Sequence, residues 1–136
     1  MEGGNRERLT DTLWKYCRKN ISGPAFLINH PLLVAPLAKK NGDGETAQLF
    51  QPILAGSELG KGYTELNDPI DQLERFEAQQ KLREGGDEEA QMKDDEFVEA
   101  LKYGMPPTTG FGISERLFAF LEGKPVRETV IFPLMR

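Results

Sequence analysis

Apolar positions follow a helical period in four segments of the chain. The first segment, Arg6 to Lys19, spaces Leu9, Leu13 and Cys17 four residues apart, which predicts an amphipathic helix that buries Cys17. Three more helices are predicted, each with a capping residue before it and a glycine after it: residues 67–85, 94–104 and 114–121. The chain is therefore expected to hold several short helices, each with one apolar face.

The last predicted helix and the segment after it are expected to complete the core. The apolar side chains of that helix, all expected to be buried, are Leu117, Phe118, Phe120 and Leu121. The apolar segment from Val130 to Pro133 is expected to dock on the same core.

Short apolar runs bounded by turn residues predict strands in the first half of the chain. Ala25 to Ile28 and Leu32 to Val34 are two such runs, separated by a turn in which His30 is interpreted as a turn residue. Ala47 to Leu54 and Glu58 to Leu66 predict a hairpin. Paired strands beside helices, without regular alternation of the two, indicate an α+β fold with a mainly antiparallel sheet and flanking helices.

Composition and charge narrow the class of protein. The 136 residues suit one compact domain. The 17 basic and 22 acidic residues give a net charge of −5, which argues against non-specific electrostatic binding to nucleic-acid phosphate backbones. A single cysteine excludes an internal disulfide and a multi-cysteine zinc site. No run approaches the length of a membrane span, and the polar start does not resemble a secretory signal. We expect a soluble, cytoplasmic protein with no membrane partner.

Candidate chemistry is concentrated on the strand predicted from Glu58 to Leu66. Period-two alternation places Lys61, Tyr63 and Glu65 on one face of that strand. Glu65 with the Tyr63 ring could bind an ammonium group, and Glu58 could bind a metal ion. The alternative interpretation is a solvated strand face with a Lys–Glu pair.

A second candidate site lies where a glycine-rich strand passes into the last helix. Gly110 and Gly112 allow close approach of a ligand to the backbone, and Arg116 follows with a guanidinium that suits phosphate. The alternative interpretation is a tight strand-to-helix turn.

Five strings in this order resemble one family. They are Pro36 to Lys40, Glu65 to Phe76, Gly86 to Ala90, Tyr103 to Thr108 and Phe132 to Arg136. Together they resemble the C-terminal half of the catalytic domain of class II lysyl-tRNA synthetases. The resemblance covers residues 9–136 and leaves 1–8 as a polar leader. It implies that the first and second class II motifs and the anticodon-binding domain are absent from this chain.

The resemblance implies an ATP-dependent activation of lysine and its transfer to tRNA. Glu58 matches a carboxylate that holds magnesium on the ATP phosphates, and Arg116 matches the catalytic, ATP-binding arginine of the third class II motif, with Gly112 beside it in the ATP site. Glu65 and Tyr63 match residues that bind the lysine side chain. ATP and magnesium are the implied cofactors, and lysine and tRNA the implied partners.

The sequence also departs from the family pattern. Gln51 stands where a second metal-binding glutamate is usual, so we expect weaker metal binding at this position. Lys61 stands where an asparagine contacts the amino acid. The glycine-rich run before Arg116 is one residue shorter than the pattern. We therefore expect that the chain is not active alone and needs an N-terminal synthetase half. The alternatives are a non-catalytic module that binds an amino acid or nucleotide or regulates a partner, and self-association through the first helix.

Overall fold

The computed structural model describes residues 6–132 and contains four helices and five strands. The helices are α1 (Arg6–Cys17), α2 (Pro69–Glu84), α3 (Asp95–Lys102) and α4 (Glu115–Glu122), and the strands are β1 (Ala25–Ile28), β2 (Leu49–Leu54), β3 (Ser57–Glu58), β4 (Gly60–Thr64) and β5 (Thr109–Ile113). Single 3₁₀ turns cover Arg18–Asn20, Leu32–Val34 and Val126–Glu128. All strand pairs are antiparallel, so the predicted α+β class is confirmed.

The sheet has the strand order β1-β2-β4-β5, with β3 also paired to β2. The predicted hairpin is confirmed: Leu54 pairs with Ser57 across a two-residue turn in which Ala55 and Gly56 both have positive φ, 47° and 72°. Such turns match the natural twist of a hairpin. The second predicted strand is split at Leu59, whose N–H donates to Pro52 O at 2.9 Å.

The strand register separates the sheet into two chemically different faces. On one, which we call the aromatic face, the ring centroid of Phe50 lies 6.3 Å from that of Phe26 and 5.4 Å from that of Phe111. Gly60 and Gly62 face these rings. The opposite face, which we call the site face, carries Leu49, Gln51, Glu58, Lys61, Tyr63 and Gly112.

The site face is closed at one end by a small apolar core. Ala35, Ala38, Ala47 and Leu49 are buried there, with Leu32 and Tyr63 packed against them. Helix α2 lies beside the 35–38 loop and is capped by Asp68, whose Oδ1 accepts from Ile70 N–H at 2.9 Å. From α2, Gln72 donates to Pro36 O at 3.3 Å. Backbone groups of the 35–38 loop are thereby held next to the sheet.

Several expectations about secondary structure and burial are wrong. Leu32–Val34 is a 3₁₀ turn rather than a strand, because Val34 N–H donates to Pro31 O and Ala35 N–H to Leu32 O. Cys17 is exposed. In α4 only Ala119 is buried, whereas Phe118, Phe120 and Leu121 are exposed. A hydrophobic period shows which side chains share a face, but another element must cover that face before it is buried.

The C-terminal segment also differs from expectation over its described part. Ile131 and Phe132 are 88% and 91% exposed, so they do not dock on the core. Pro133 and the rest of the last family string lie outside the described residues. Within residues 6–132, no helix is long and apolar enough to cross a membrane.

Asp71 is the center of a charged anchor between α2 and the 35–40 loop. Arg75 donates to Asp71 Oδ1 at 2.7 Å and Oδ2 at 3.0 Å, and Arg75 also donates to Ala38 O at 2.7 Å. The Arg75 guanidinium, with a smaller contribution from Lys40, holds the pKa of the Asp71 carboxyl below its ordinary value of 3.8.

We expect Asp71→Asn to lower the free energy of unfolding by about 1–3 kcal/mol at pH 7. Because the folded-state pKa of Asp71 is lowered, its contribution is present above the unfolded pKa and is lost as the pH falls through the folded value. Urea unfolding at pH 7 and near pH 3 should therefore show a difference from wild type that shrinks in acid. Glu74→Gln, exposed on the same helix, is the control. An equal difference in the free energy of unfolding at both pH values would contradict a stabilising role of the Asp71 carboxylate.

Candidate functional site

Strand β4 places the predicted site residues in a row on the site face. Lys61 pairs with Gly112 and Tyr63 with Gly110, so the neighboring strand has no side chains at these positions. Glu65 follows β4, and its N–H donates to Thr108 O at 2.9 Å. Its Oε1 lies 3.6 Å from where a Cβ on Gly110 would be. The two glycines therefore leave a stretch of backbone without side chains beside Lys61, Tyr63 and Glu65.

Glu65 and Tyr63 form the partly buried end of this row. Burial raises the pKa of Glu65. Burial, and then the charge of Glu65, raises the pKa of Tyr63. A partly desolvated carboxylate gains most from a cation that approaches it, since the cation restores the interactions that water supplied. This end of the row is suited to an ammonium group.

A cavity of about 230 Å³ lies at the other end of the row. Its lining includes Trp14 from α1, His30, and the three site-face residues Gln51, Glu58 and Lys61. Tyr63, Glu65 and Arg116 are not part of this lining. The structure therefore places Gln51 and Glu58 at the cavity, Tyr63 and Glu65 beside the two glycines, and Lys61 between them. Arg116 lies apart, in the first turn of α4.

Glu58 is held in the cavity by two residues that sequence reasoning did not select. Trp14 Nε1 donates to Glu58 Oε1 at 2.7 Å, and Arg18 Nη1 lies 3.5 Å from the same oxygen. In the sequence, Trp14 stands next to Leu13 on the predicted first helix, where the helical period gives it no role beyond the apolar face. No local spacing rule links it to a residue 44 positions away.

His30, interpreted from the sequence as a turn residue, is buried in the cavity wall. It follows Asn29, which has a φ of 54°, and only 9% of His30 is exposed. Burial, with a smaller contribution from Lys61, lowers the pKa of His30, so the imidazole is neutral at pH 7. Within residues 6–132, His30 Nε2 and Gln51 Oε1 are buried atoms without a hydrogen-bond partner. Buried polar atoms of this kind are available to a ligand.

Lys61 and Arg116 are both cations without a carboxylate partner in the described part of the chain. The alternative of a Lys–Glu pair on β4 is therefore not formed. Arg116 is exposed in the first turn of α4, where its N–H donates to Ser114 Oγ at 3.2 Å. A Cβ on Gly112 would meet nothing within 4 Å. Two free cations and open backbone suit an anionic ligand.

The donor set at Glu58 fits a magnesium ion only when other groups supply most of its ligands. Residues 6–132 contain no group of three or more His, Cys, Asp or Glu side chains that could together hold a metal ion. Gln51 adds no charge, and Glu58 Oε2 accepts no hydrogen bond from the described residues. Magnesium commonly binds one or two carboxylates together with water and substrate phosphates. Glu58 can serve as such a carboxylate.

Comparisons with known proteins agree with the motifs. The family model of the tRNA synthetases class II (D, K and N) matches residues 5–136. A lysine–tRNA ligase of Thermosipho africanus is 47% identical over 97% of this chain and 27% of its own length. One from Thermotoga maritima is 44% identical over 100% of this chain and 28% of its own length. A lysine–tRNA ligase from Bacillus subtilis is 51% identical over 83% of this chain and 23% of its own length.

The chain thus spans about a quarter of the length of the curated relatives that it matches. The match nonetheless covers nearly every residue of the chain and includes both β4 and the strand-to-helix junction before Arg116. The resemblance inferred from the five strings is confirmed. The chain belongs to the family of class II tRNA synthetases that comprises the D, K and N members.

Proposed function

We propose that this chain forms the C-terminal part of the catalytic domain of a lysine–tRNA ligase. The observation that carries the proposal is the arrangement of residues on the site face and at its edges. Tyr63 and, just after β4, Glu65 offer an ammonium subsite. Glu58, Gly112 and, in the first turn of α4, Arg116 offer positions for a nucleotide. In the proposed reaction, the lysine carboxylate attacks the α-phosphate of ATP and pyrophosphate leaves. Transfer of lysine to the tRNA end follows.

Each residue has a positioning or electrostatic role in this proposal. Glu65 holds the side-chain ammonium of lysine, and the Tyr63 ring lines the same pocket. Arg116 binds the ATP tail and stabilises the charge that develops on pyrophosphate. Magnesium, when bound at Glu58, would neutralise phosphate charge. Rate enhancement comes from placing the two reactants in line, so these groups need correct geometry.

Gln51 and Lys61 modify the proposed nucleotide end of the site. Gln51 supplies a neutral oxygen in place of a carboxylate, so magnesium should depend more strongly on the phosphates for its ligands. Lys61 adds a positive charge to the cavity, which repels an α-ammonium and attracts phosphate or carboxylate oxygens. We propose that Lys61 contacts an anionic group of the bound reactants.

Exposed apolar side chains on the aromatic face favor a larger assembly in which this face is covered. Phe26, Phe111 and Ile113 are 69%, 52% and 64% exposed, and apolar patches of this kind mark surfaces that are covered in the functional protein. We propose that the remaining part of a synthetase catalytic domain covers this face and supplies the other half of the ATP site.

A chimera tests the proposal. The segment of the Thermotoga maritima lysine–tRNA ligase that matches this chain is replaced by residues 1–136, and ATP–pyrophosphate exchange is measured with and without lysine. We expect exchange that requires lysine, and no exchange by the 136-residue chain alone. A folded chimera that shows no lysine-dependent exchange would contradict the proposed function.

Gln51 and Lys61 favor a second candidate function, a non-catalytic module that binds an amino acid or nucleotide or regulates a partner. Titration calorimetry of the chimera with ATP, lysine and a non-hydrolysable lysyl-adenylate analogue separates the two functions. Binding without exchange would support the module. Self-association through α1 remains a further prediction, and a monomer by light scattering at high concentration would contradict it.

A further inference from the structure

Two side chains at the end of α1 fix one oxygen of Glu58. The Trp14 indole N–H donates to Oε1 at 2.7 Å, and Arg18, in the 3₁₀ turn that follows α1, brings Nη1 to 3.5 Å from the same atom. Oε2 accepts no hydrogen bond from residues 6–132. One oxygen of the carboxylate is therefore anchored while the other is available to a ligand.

Helix α1 is itself held in place at its other end. Arg8 pairs with Asp87 at 2.6 Å and also with Glu89, in the segment after α2. Gln79, buried on α2, donates to Glu7 Oε2 at 3.0 Å. The first turn of α1 is thus attached to the α2 region and its last turn to the sheet. The position of the Trp14 indole is determined by contacts at both ends of the helix.

Anchoring matters here because the other carboxylate in the cavity lining, that of Asp11, is paired with Lys15. Gln51 lines the same cavity and provides only an amide. A single carboxylate binds a cation more tightly when outer hydrogen bonds fix its orientation, since less side-chain freedom is lost on binding. Trp14 and Arg18 are placed to supply this orientation from outside the sheet.

We propose that Trp14 and Arg18 are positioning residues of the nucleotide site, which hold Oε1 of Glu58 and direct Oε2 toward the cation that accompanies the ATP phosphates. The proposal rests on the proposed function. It adds α1 to a site that the motifs place only on the sheet and at the start of α4.

The contact itself can be tested without nucleotide. The chain has one tryptophan, so its ¹H–¹⁵N spectrum contains one indole cross-peak. Because a carboxylate accepts a stronger hydrogen bond than an amide, we expect Glu58→Gln to shift this peak upfield. Glu65→Gln, on the same side of the sheet but outside the cavity, should leave the peak in place. An unmoved indole peak in a well-dispersed spectrum of Glu58→Gln would overturn the proposal.

The positioning role is tested by steady-state exchange kinetics of the chimera. We expect Trp14→Phe and Arg18→Met each to raise the KM for magnesium–ATP by about tenfold, with the KM for lysine unchanged. Leu13→Ala, an exposed position on the same helix, is the matched control and should change neither. Unchanged KM values for magnesium–ATP in both variants would contradict the positioning role of Trp14 and Arg18 without contradicting the proposed function. Absence of exchange in the wild-type chimera would contradict the proposed function and remove the basis of this role.

Discussion

Glu65→Gln in the chimera is expected to raise the KM for lysine by about 30-fold or more, with little change in the KM for ATP. The physical reason is the loss of a charge partner in a partly desolvated site. Removing one partner of a buried, hydrogen-bonded charge pair costs about 2–5 kcal/mol, and each 1.4 kcal/mol is a factor of ten in affinity. Burial already raises the pKa of Glu65, as expected for a carboxylate that is partly desolvated.

The control for this prediction is Glu96→Gln, an exposed acid on α3. It removes the same charge from the protein without touching the site face. Lysine-dependent exchange measured over a range of lysine concentrations should give wild-type kinetics for this control. If Glu65→Gln had the same KM for lysine as Glu96→Gln, the ammonium subsite could not lie at Glu65.

Gly60→Ala is expected to lower the free energy of unfolding by about 1–3 kcal/mol, a typical range for overpacking. A Cβ on Gly60 would lie 2.5 Å from Gly112 O, and 3.1 Å from the Phe111 ring. The first of these atoms belongs to the backbone of β5, so the two strands must move apart to accept the methyl group. Urea unfolding followed by circular dichroism measures this loss.

Gly112→Ala is the matched control, because a Cβ there would meet nothing within 4 Å and the residue lies on the site face of the same strand pair. Its free energy of unfolding should stay within about 0.5 kcal/mol of wild type. Equal destabilisation by the two substitutions would contradict this account, because only the methyl group at position 60 would meet a backbone atom of the neighboring strand.

Local rules predicted the parts of the fold that depend on neighbors in sequence. Strand alternation placed Lys61 and Tyr63 on one face, and the Ala55-Gly56 turn closed the expected hairpin. Capping residues located the starts of helices: Asp94 accepts from Phe97 N–H at 2.9 Å at the start of α3. Gly123, with a φ of 63°, ends α4. Backbone conformation at these points is determined by one or two residues.

Burial and the composition of the cavity could not be predicted in the same way. The apolar side chains of α4 were expected to be buried, but Phe118, Phe120 and Leu121 are exposed, because burial depends on contacts beyond the local sequence. Trp14 reaches Glu58 across 44 positions, and His30 is buried because α1 and the sheet meet around it. Such contacts follow from the three-dimensional arrangement of elements. The signal that could have indicated the first contact is the single tryptophan on a helix rich in charge.

The proposed assembly explains why apolar side chains are exposed both on the aromatic face and on α4. Phe118 and Leu121 on α4 are 53% and 70% exposed, as Phe26 is on the sheet. A chain that spans about a quarter of its relatives' length is expected to expose the surfaces that the remainder would bury. The proposed remainder supplies both this cover and the other ATP-binding groups.

The most direct measurement is the amino-acid dependence of ATP–pyrophosphate exchange by the chimera. Lysine, aspartate and asparagine are supplied separately at equal concentrations, since the family comprises D, K and N members. We expect exchange with lysine, and none above background with aspartate or asparagine. Glu65 attracts an ammonium, repels the side-chain carboxylate of aspartate and forms no ion pair with the neutral amide of asparagine. Exchange that is equal with aspartate, or absent with lysine in a folded chimera, would contradict the assignment of this site face to lysine activation.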